Sequence, residues 1–156
     1  SPLVRAIRTA EIVTGFSREA IEIDPLCNER SFGRMEGLTR AEVEARFPEV
    51  RYLQIEHIGY SLNPPGGEPF AALADRARRF LQGVLDRHRS RRILISSHQT
   101  FLQQLHGVLR GLDPIQSLHY DILNLELNLF HLGPQGDLID HRSEQLVTWA
   151  AKYPSF

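Results

Sequence analysis

Helical and strand-like hydrophobic patterns alternate through the first two thirds of this 156-residue chain, which predicts an α/β sheet. Two stretches sharpen that expectation. The apolar run Ile93-Leu94-Ile95 ends in Ser96-Ser97-His98 and passes directly into a helical pattern, the kind of junction where open α/β sheets bind ligands. Later, Leu123, Leu125, Leu127 and Leu129 alternate with polar or aromatic neighbours, so an antiparallel edge is expected to join the sheet late. With 42% apolar and 24% charged residues, the composition is that of one globular domain over 1–156. A chain of this length buries about two thirds of its unfolded surface.

The elements follow in order. Ser1 and Pro2 suit the start of a helix, and Leu3, Ile7, Ala10 and Val13 recur at helical spacing until Gly15 stops it. Ile21 and Ile23 alternate with Glu22 and Asp24, predicting a short strand that Pro25 ends. Residues 25–38 lack periodicity and read as a loop. Thr39 with Glu42 forms a capping box, so a short helix runs to Phe47 and Pro48 ends it. Residues 48–67 are irregular and read as a substrate-side insertion rather than a domain linker.

Phe70, Leu73, Ala74, Ala77, Phe80, Leu81, Val84 and Leu85 then form the apolar stripe of the longest helix. Asp75, Arg76, Arg78, Arg79, Asp86 and Arg87 fall on its solvated face. A strand over 92–96, the His98 turn and a helix to about Leu112 come next. Gly133-Pro134-Gln135-Gly136 turns the leucine run toward a second strand near Leu138, and 144–152 reads as a terminal helix.

Net charge is −1 with no basic stripe, which speaks against a nucleic-acid partner. No apolar run approaches the ~18 residues of a membrane span and no secretory signal opens the chain, so no membrane association is expected. The single Cys27 excludes an internal disulfide and makes a cytoplasmic location the expectation. Of the 18 basic residues only Lys152 is lysine, a bias too general to mark a phosphate site by itself. The long apolar helix and the leucine-alternating strand fit a homodimer edge as well as a core.

Three separated residues offer polar groups at the mouth of the expected sheet. Arg5 lies one turn into the first helix, Glu36 lies in a glycine-flanked loop, and His98 follows the strand. The backbone N–H groups of Gln99 and Thr100, at the start of the next helix, have no helical acceptor and favour an anion. Cation, carboxyl and imidazole together suffice for phosphoryl transfer without metal: charge neutralisation, a leaving-group proton donor and an oxygen clamp.

Four ordered segments carry a resemblance to the histidine phosphatase superfamily, the phosphoglycerate mutase-like family. Ser1-Pro2-Leu3-Val4-Arg5-Ala6-Ile7-Arg8-Thr9-Ala10 resembles its S-P-L-x-R-A-x-x-T-A segment. Asn28-Glu29-Arg30-Ser31-Phe32-Gly33-Arg34-Met35-Glu36-Gly37-Leu38-Thr39 is similar to its E-x-x-F-G-x-W-E-G-x-T loop. Pro65-Gly66-Gly67-Glu68 resembles P-x-G-E-S before a long helix, and Ile93 to Gln99 resembles the strand ending in S-H-G.

The resemblance implies a three-layer mixed sheet with helices on both faces. It also implies a metal-independent phosphatase that acts on a small phosphomonoester through a phosphohistidine, with no cofactor. Arg5 would bind the phosphoryl group, Glu36 would be the general acid and base, and His98 would clamp phosphoryl oxygens. The Gln99 N–H would also reach the small phosphorylated substrate or inorganic phosphate.

The family's nucleophilic histidine belongs to an R-H-G tripeptide ahead of the S-P-L-x-R-A segment, and no Arg-His-Gly occurs here. The expectation is a recorded chain that omits an upstream part carrying the nucleophile and the N-terminal strand. His57, His88, His106, His119, His131 and His141 read as surface or structural residues. Met35 stands where the family usually has Trp, and Gln99-Thr100 where it often has Gly-Gly. The competing readings are a mutase-type phosphoryl transferase and a non-catalytic phosphate-binding scaffold. Glu56-His57 and Asp140-His141 lack metal-ligand spacing, and Cys27 lacks a helix N-terminus to activate it, so no metal site and no thiol nucleophile is expected.

Overall fold

The computed structural model describes residues 1–146 as a mixed α/β fold. It contains four helices, α1 (Val4–Thr14), α2 (Arg40–Arg46), α3 (Phe70–Arg87) and α4 (Gln99–Arg110). Two antiparallel hairpins accompany them: β1 (Tyr52–Ile55) with β2 (Ile58–Ser61), and β3 (Glu126–Leu132) with β4 (Leu138–Gln145).

Helix α3 buries Phe70, Leu73, Ala74, Ala77, Phe80 and Val84, a stripe at helical spacing that packs against Phe101 and Leu105 of α4. Phe80 and Phe101 meet edge to face at 5.5 Å, and Cys27, Tyr60 and Leu118 complete the core. Met35, Val43 and Phe47 form a second, smaller cluster beneath α2. The Thr39–Glu42 capping box that begins α2 is present as expected. Among the described residues, no helix is long and apolar enough to cross a membrane.

The sheet differs from expectation. Among the described residues the strands pair only as the two hairpins. Residues 92–96 are not in a strand, and Ile93 and Leu94 are 43% and 49% exposed. The 21–23 run likewise forms no strand. A strand is stable only when a neighbour satisfies its N–H and C=O groups, and these runs have no such neighbour among the described residues. The 48–67 insertion is more ordered than its composition suggests, since it contains the β1–β2 hairpin. Strand β3 starts only at Glu126, because Leu125 has φ 59°, outside the strand region. Strand β4 runs through Glu144 and Gln145, where a helix was expected to begin. The rest of that expected helix lies outside the described residues.

The β3–β4 hairpin is clasped to the end of α4 by an aromatic cluster. The buried His106 ring meets Phe130 edge-on at 4.6 Å and His141 at 5.2 Å, and His141 stacks on Phe130. Burial, then the nearby His141 and Arg110, push the His106 pKa down to about 4. Unfolded, this imidazole protonates near its ordinary 6.5, so the unfolded chain binds the extra proton between these values. Stability should therefore fall as pH drops from 6.5 toward 4, by something on the order of 2 kcal/mol from His106. Urea titrations at successive pH values measure it, and His106→Phe should flatten the slope.

A second test concerns the approach of α4 to the turn that follows it. A Cβ on Gly107 would overlap Ser117 Oγ and lie 2.7 Å from Ser117 Cβ. Gly107→Ala should cost about 1–3 kcal/mol in chemical denaturation despite its better helix propensity. Adding Ser117→Gly should recover most of that loss.

Candidate active site

Two adjacent serines assemble the site. Ser96 Oγ donates to Ala6 O at 2.8 Å and so ties the first turn of α1 to the segment entering α4. Ser97 Oγ donates to Cys27 O at 2.6 Å and ties the Pro25–Cys27 turn to the same segment. Arg5 and the 28–29 loop are thereby brought to either side of His98, which stands in extended conformation just ahead of α4.

His98 is 7% exposed, and its Nε2 lies 2.9 Å from Ser1 Oγ, which is itself 3.2 Å from Asn28 Oδ1. Burial and then the positive field of Arg5 push its pKa down to about 4. The imidazole is therefore neutral at pH 7 when the site holds no anion. The Arg5 guanidinium has no hydrogen bond or ion pair among the described residues, although its charge is felt at both His98 and Glu29. The side chain of Gln99 donates to Asp121 Oδ1 at 3.3 Å, and its N–H is at the first position of α4, where no helical acceptor exists.

The carboxyl that joins this group is that of Glu29. It accepts from the N–H of Arg30 at 2.8 Å, and the nearby Phe101 N–H, Arg5 and Arg76 also favour its charged form. Burial nevertheless raises its pKa, which favours the protonated form. Glu29 also borders an open cleft of about 540 Å³ shared with Asn28, Ser31, Glu68 and Arg76.

Glu36 lies elsewhere. Its Oε1 accepts from Ser31 Oγ and from Phe32 N, each at 3.2 Å, closing its own exposed turn. No contact joins it to Arg5 or His98 among the described residues. Of the three expected site residues, the structure brings Arg5 and His98 into one electrostatic neighbourhood, with Glu29 as the acid beside them. The sequence did carry a signal for Glu29, since it is the first glutamate of the 28–39 motif.

Arg76 corrects a second expectation. It is not on the solvated face of α3: its side chain is 13% exposed and points inward. Its guanidinium donates to the carbonyls of Leu26, Asn28 and Glu29 and to both oxygens of Glu68. Burying this planar fork supplies donors where the 26–29 loop offers backbone acceptors. Behind that loop, Arg30 donates to Glu68 O and Ser61 O over the Phe70 ring, and its burial lowers its pKa to about 10. The 31–34 and 64–67 turns touch so closely that a Cβ on Gly33 would lie 2.4 Å from the Gly66 carbonyl carbon.

An anion reaching Arg5 and His98 would offset the field that keeps His98 neutral, so binding should raise the His98 pKa and take up a proton. The affinity for sulfate, which does not titrate in this range, should rise as pH falls from 7 toward about 4. Calorimetry in buffers of different ionisation enthalpy measures the uptake, and His98→Asn should remove the imidazole's share, leaving only that of Glu29.

Comparison with known proteins matches residues 1–145 to the family model of the histidine phosphatase superfamily (branch 1). The chain is 33% identical over 135 residues to a bifunctional protein of Mycobacterium tuberculosis, covering 84% of this chain and 36% of that protein. It is 29% identical over 150 residues to a 2,3-bisphosphoglycerate-dependent phosphoglycerate mutase of Azorhizobium caulinodans, covering 91% and 71% respectively. It is 30% identical over 146 residues to a metal-independent phosphoserine phosphatase of Arabidopsis thaliana, covering 92% and 59%. The chain thus spans about a third of the length of the mycobacterial relative and more than half of the other two.

Proposed function

Since the chain belongs to the histidine phosphatase superfamily, we propose that it forms the phosphate-binding and acid–base part of a metal-independent phosphatase for a small phosphomonoester. The observation that carries this reading is the convergence of Arg5, Glu29 and His98 at the N-terminus of α4. Arg5, the Gln99 N–H and His98, protonated once the dianion is in place, hold the phosphoryl oxygens. The nucleophile is a histidine on a segment upstream of Ser1.

In the first step an imidazole nitrogen bonds to phosphorus, the ester P–O bond breaks, and Glu29 passes its proton to the departing alkoxide. In the second, Glu29 takes a proton from water, the water oxygen bonds to phosphorus, and the P–N bond breaks to release phosphate and restore the imidazole. Glu29 takes the acid–base role in place of Glu36, because its carboxyl sits at the helix end beside Arg5 and its pKa is raised.

Three of the other histidines are engaged elsewhere. His106 and His141 belong to the β3–β4 clasp, and His88 pairs with Glu22. Hydrolysis is preferred over mutase-type transfer because the 48–67 excursion is short for a lid that must retain a bisphosphorylated intermediate. A cytoplasmic location accords with the single, buried Cys27.

The full-length protein should hydrolyse p-nitrophenyl phosphate with unchanged rate in a metal chelator and yield an acid-labile phosphoenzyme on rapid quenching. Glu29→Gln should lower kcat by about 10²- to 10⁴-fold with an alkyl phosphate, whose leaving group needs a proton. Glu36→Gln should stay close to wild type. Loss of turnover with the chelator, or equal losses in the two variants, would contradict the mechanism.

A further inference from the structure

The tip of the β1–β2 hairpin and the 118–121 segment enclose a hollow of about 270 Å³, lined by Gln54, Glu56, His57, Tyr60, His119 and Asp121 over a floor of apolar side chains. It opens next to the anion site, because the Gln99 side chain, at the first position of α4, donates to Asp121 at 3.3 Å. Its charge is opposite to that of the anion site. Among the described residues no arginine or lysine lines this hollow, whereas Glu56 and Asp121 both do.

The wall is held from behind. Gln103, fully buried behind it, donates its amide hydrogens to Tyr60 Oη at 2.9 Å, Leu118 O at 3.3 Å and Tyr120 O at 3.0 Å. Its Oε1 has no donor among the described residues. Glu56 is held at φ 50°, a conformation unfavourable for a side chain with Cβ, and Gln54 Nε2 supports it by donating to Glu56 O at 2.9 Å. The acidic lining does not gather into a metal centre, since no three His, Cys, Asp or Glu side chains among the described residues are grouped to hold an ion.

We propose that this hollow is the subsite for the organic part of the substrate and that it selects phosphomonoesters carrying an ammonium group. The proposal rests on the phosphatase reading of the neighbouring anion site. An ammonium donates to carboxylates and offsets their charge, while a carboxylate or second phosphate there would meet Glu56 and Asp121 with like charge. The same polarity disfavours a substrate with anions at both ends, as a mutase acting on bisphosphorylated acids requires.

The test compares binding of phosphoethanolamine, ethyl phosphate and 3-phosphoglycerate to the full-length protein by calorimetry at pH 8 and low salt. Partly exposed carboxylates should make the amine ester bind about three- to tenfold more tightly than ethyl phosphate, and the acid ester more weakly. In the Glu56→Gln/Asp121→Asn double variant the ratio of the first two affinities should fall to near one. A wild-type ratio at or below one overturns the subsite without recourse to any variant, as does a ratio that survives in the double variant. Turnover of p-nitrophenyl phosphate separates the two readings. Turnover without amine preference removes the subsite alone, amine preference without turnover removes the phosphatase reading alone, and failure of all three esters to bind removes both.

Discussion

All five N–H groups of one buried side chain fix the loop on which the candidate site depends. The Arg76 guanidinium spends them on Leu26 O, Asn28 O, Glu29 O and the two oxygens of Glu68. A buried ion pair of this kind is weak evidence for net stability, because desolvation offsets much of its attraction. Its consequence is positional. Three backbone acceptors of this loop, at 26, 28 and 29, are satisfied by a rigid fork, and the Ser97 hydroxyl donates to the remaining one, Cys27 O. Residues 26–29 are thus fixed between α3 and the entry to α4, which sets the Glu29 carboxyl where the Phe101 N–H and Arg5 both favour its charged form.

That placement sets two titratable groups against each other at one helix end. His98 and Glu29 are both burdened by burial, and in each case burial disfavours the charged form. Arg5 deepens the effect at His98 and opposes it at Glu29. The pocket therefore tends toward a neutral imidazole beside one guanidinium that has no direct partner among the described residues. In the proposed reaction a tetrahedral dianion would supply the negative charge that this arrangement lacks, and charging of the imidazole would follow from its arrival. Preorganisation here is electrostatic: donors are aimed before the ligand comes, at the end of a helix whose dipole favours an anion.

Local chemistry was legible in the sequence, and non-local pairing was not. The capping box at Thr39, the stripe from Phe70 to Val84 and the start of α4 after His98 are encoded by neighbours along the chain, and each stands where periodicity and caps put it. The β1–β2 hairpin escaped because its turn residues are Glu56 and His57 rather than an Asn-Gly pair, with Glu56 at φ 50°. Arg76 was misread because it lies beside the apolar stripe, three residues from Leu73 and four from Phe80, where helical spacing cannot say whether a long side chain turns in or out. Glu29 and Glu36 share one motif in an irregular loop, and only folding, which buries Glu29 near Arg5 and leaves Glu36 exposed, tells them apart.

Helix α4 connects these observations through its polar side. Gln103, Gln104 and His106 are buried, which helix patterning alone would count as errors. The segment that follows α4 accounts for the two glutamines. It has only a short helical turn at Gln116–His119, so its carbonyls need donors from outside: Gln104 donates to Pro114 O, and Gln103 to Leu118 O and Tyr120 O. His106 sits further along and packs against Tyr120 and Phe130. The opposite, apolar side of the helix packs on α3, and the Phe101 N–H there favours the charged form of Glu29. One helix thus borders the proposed anion site at its first turn and backs the acidic hollow at its middle. A shift of α4 against α3 would move both together, so the proposed phosphate capture and choice of organic group would be mechanically linked.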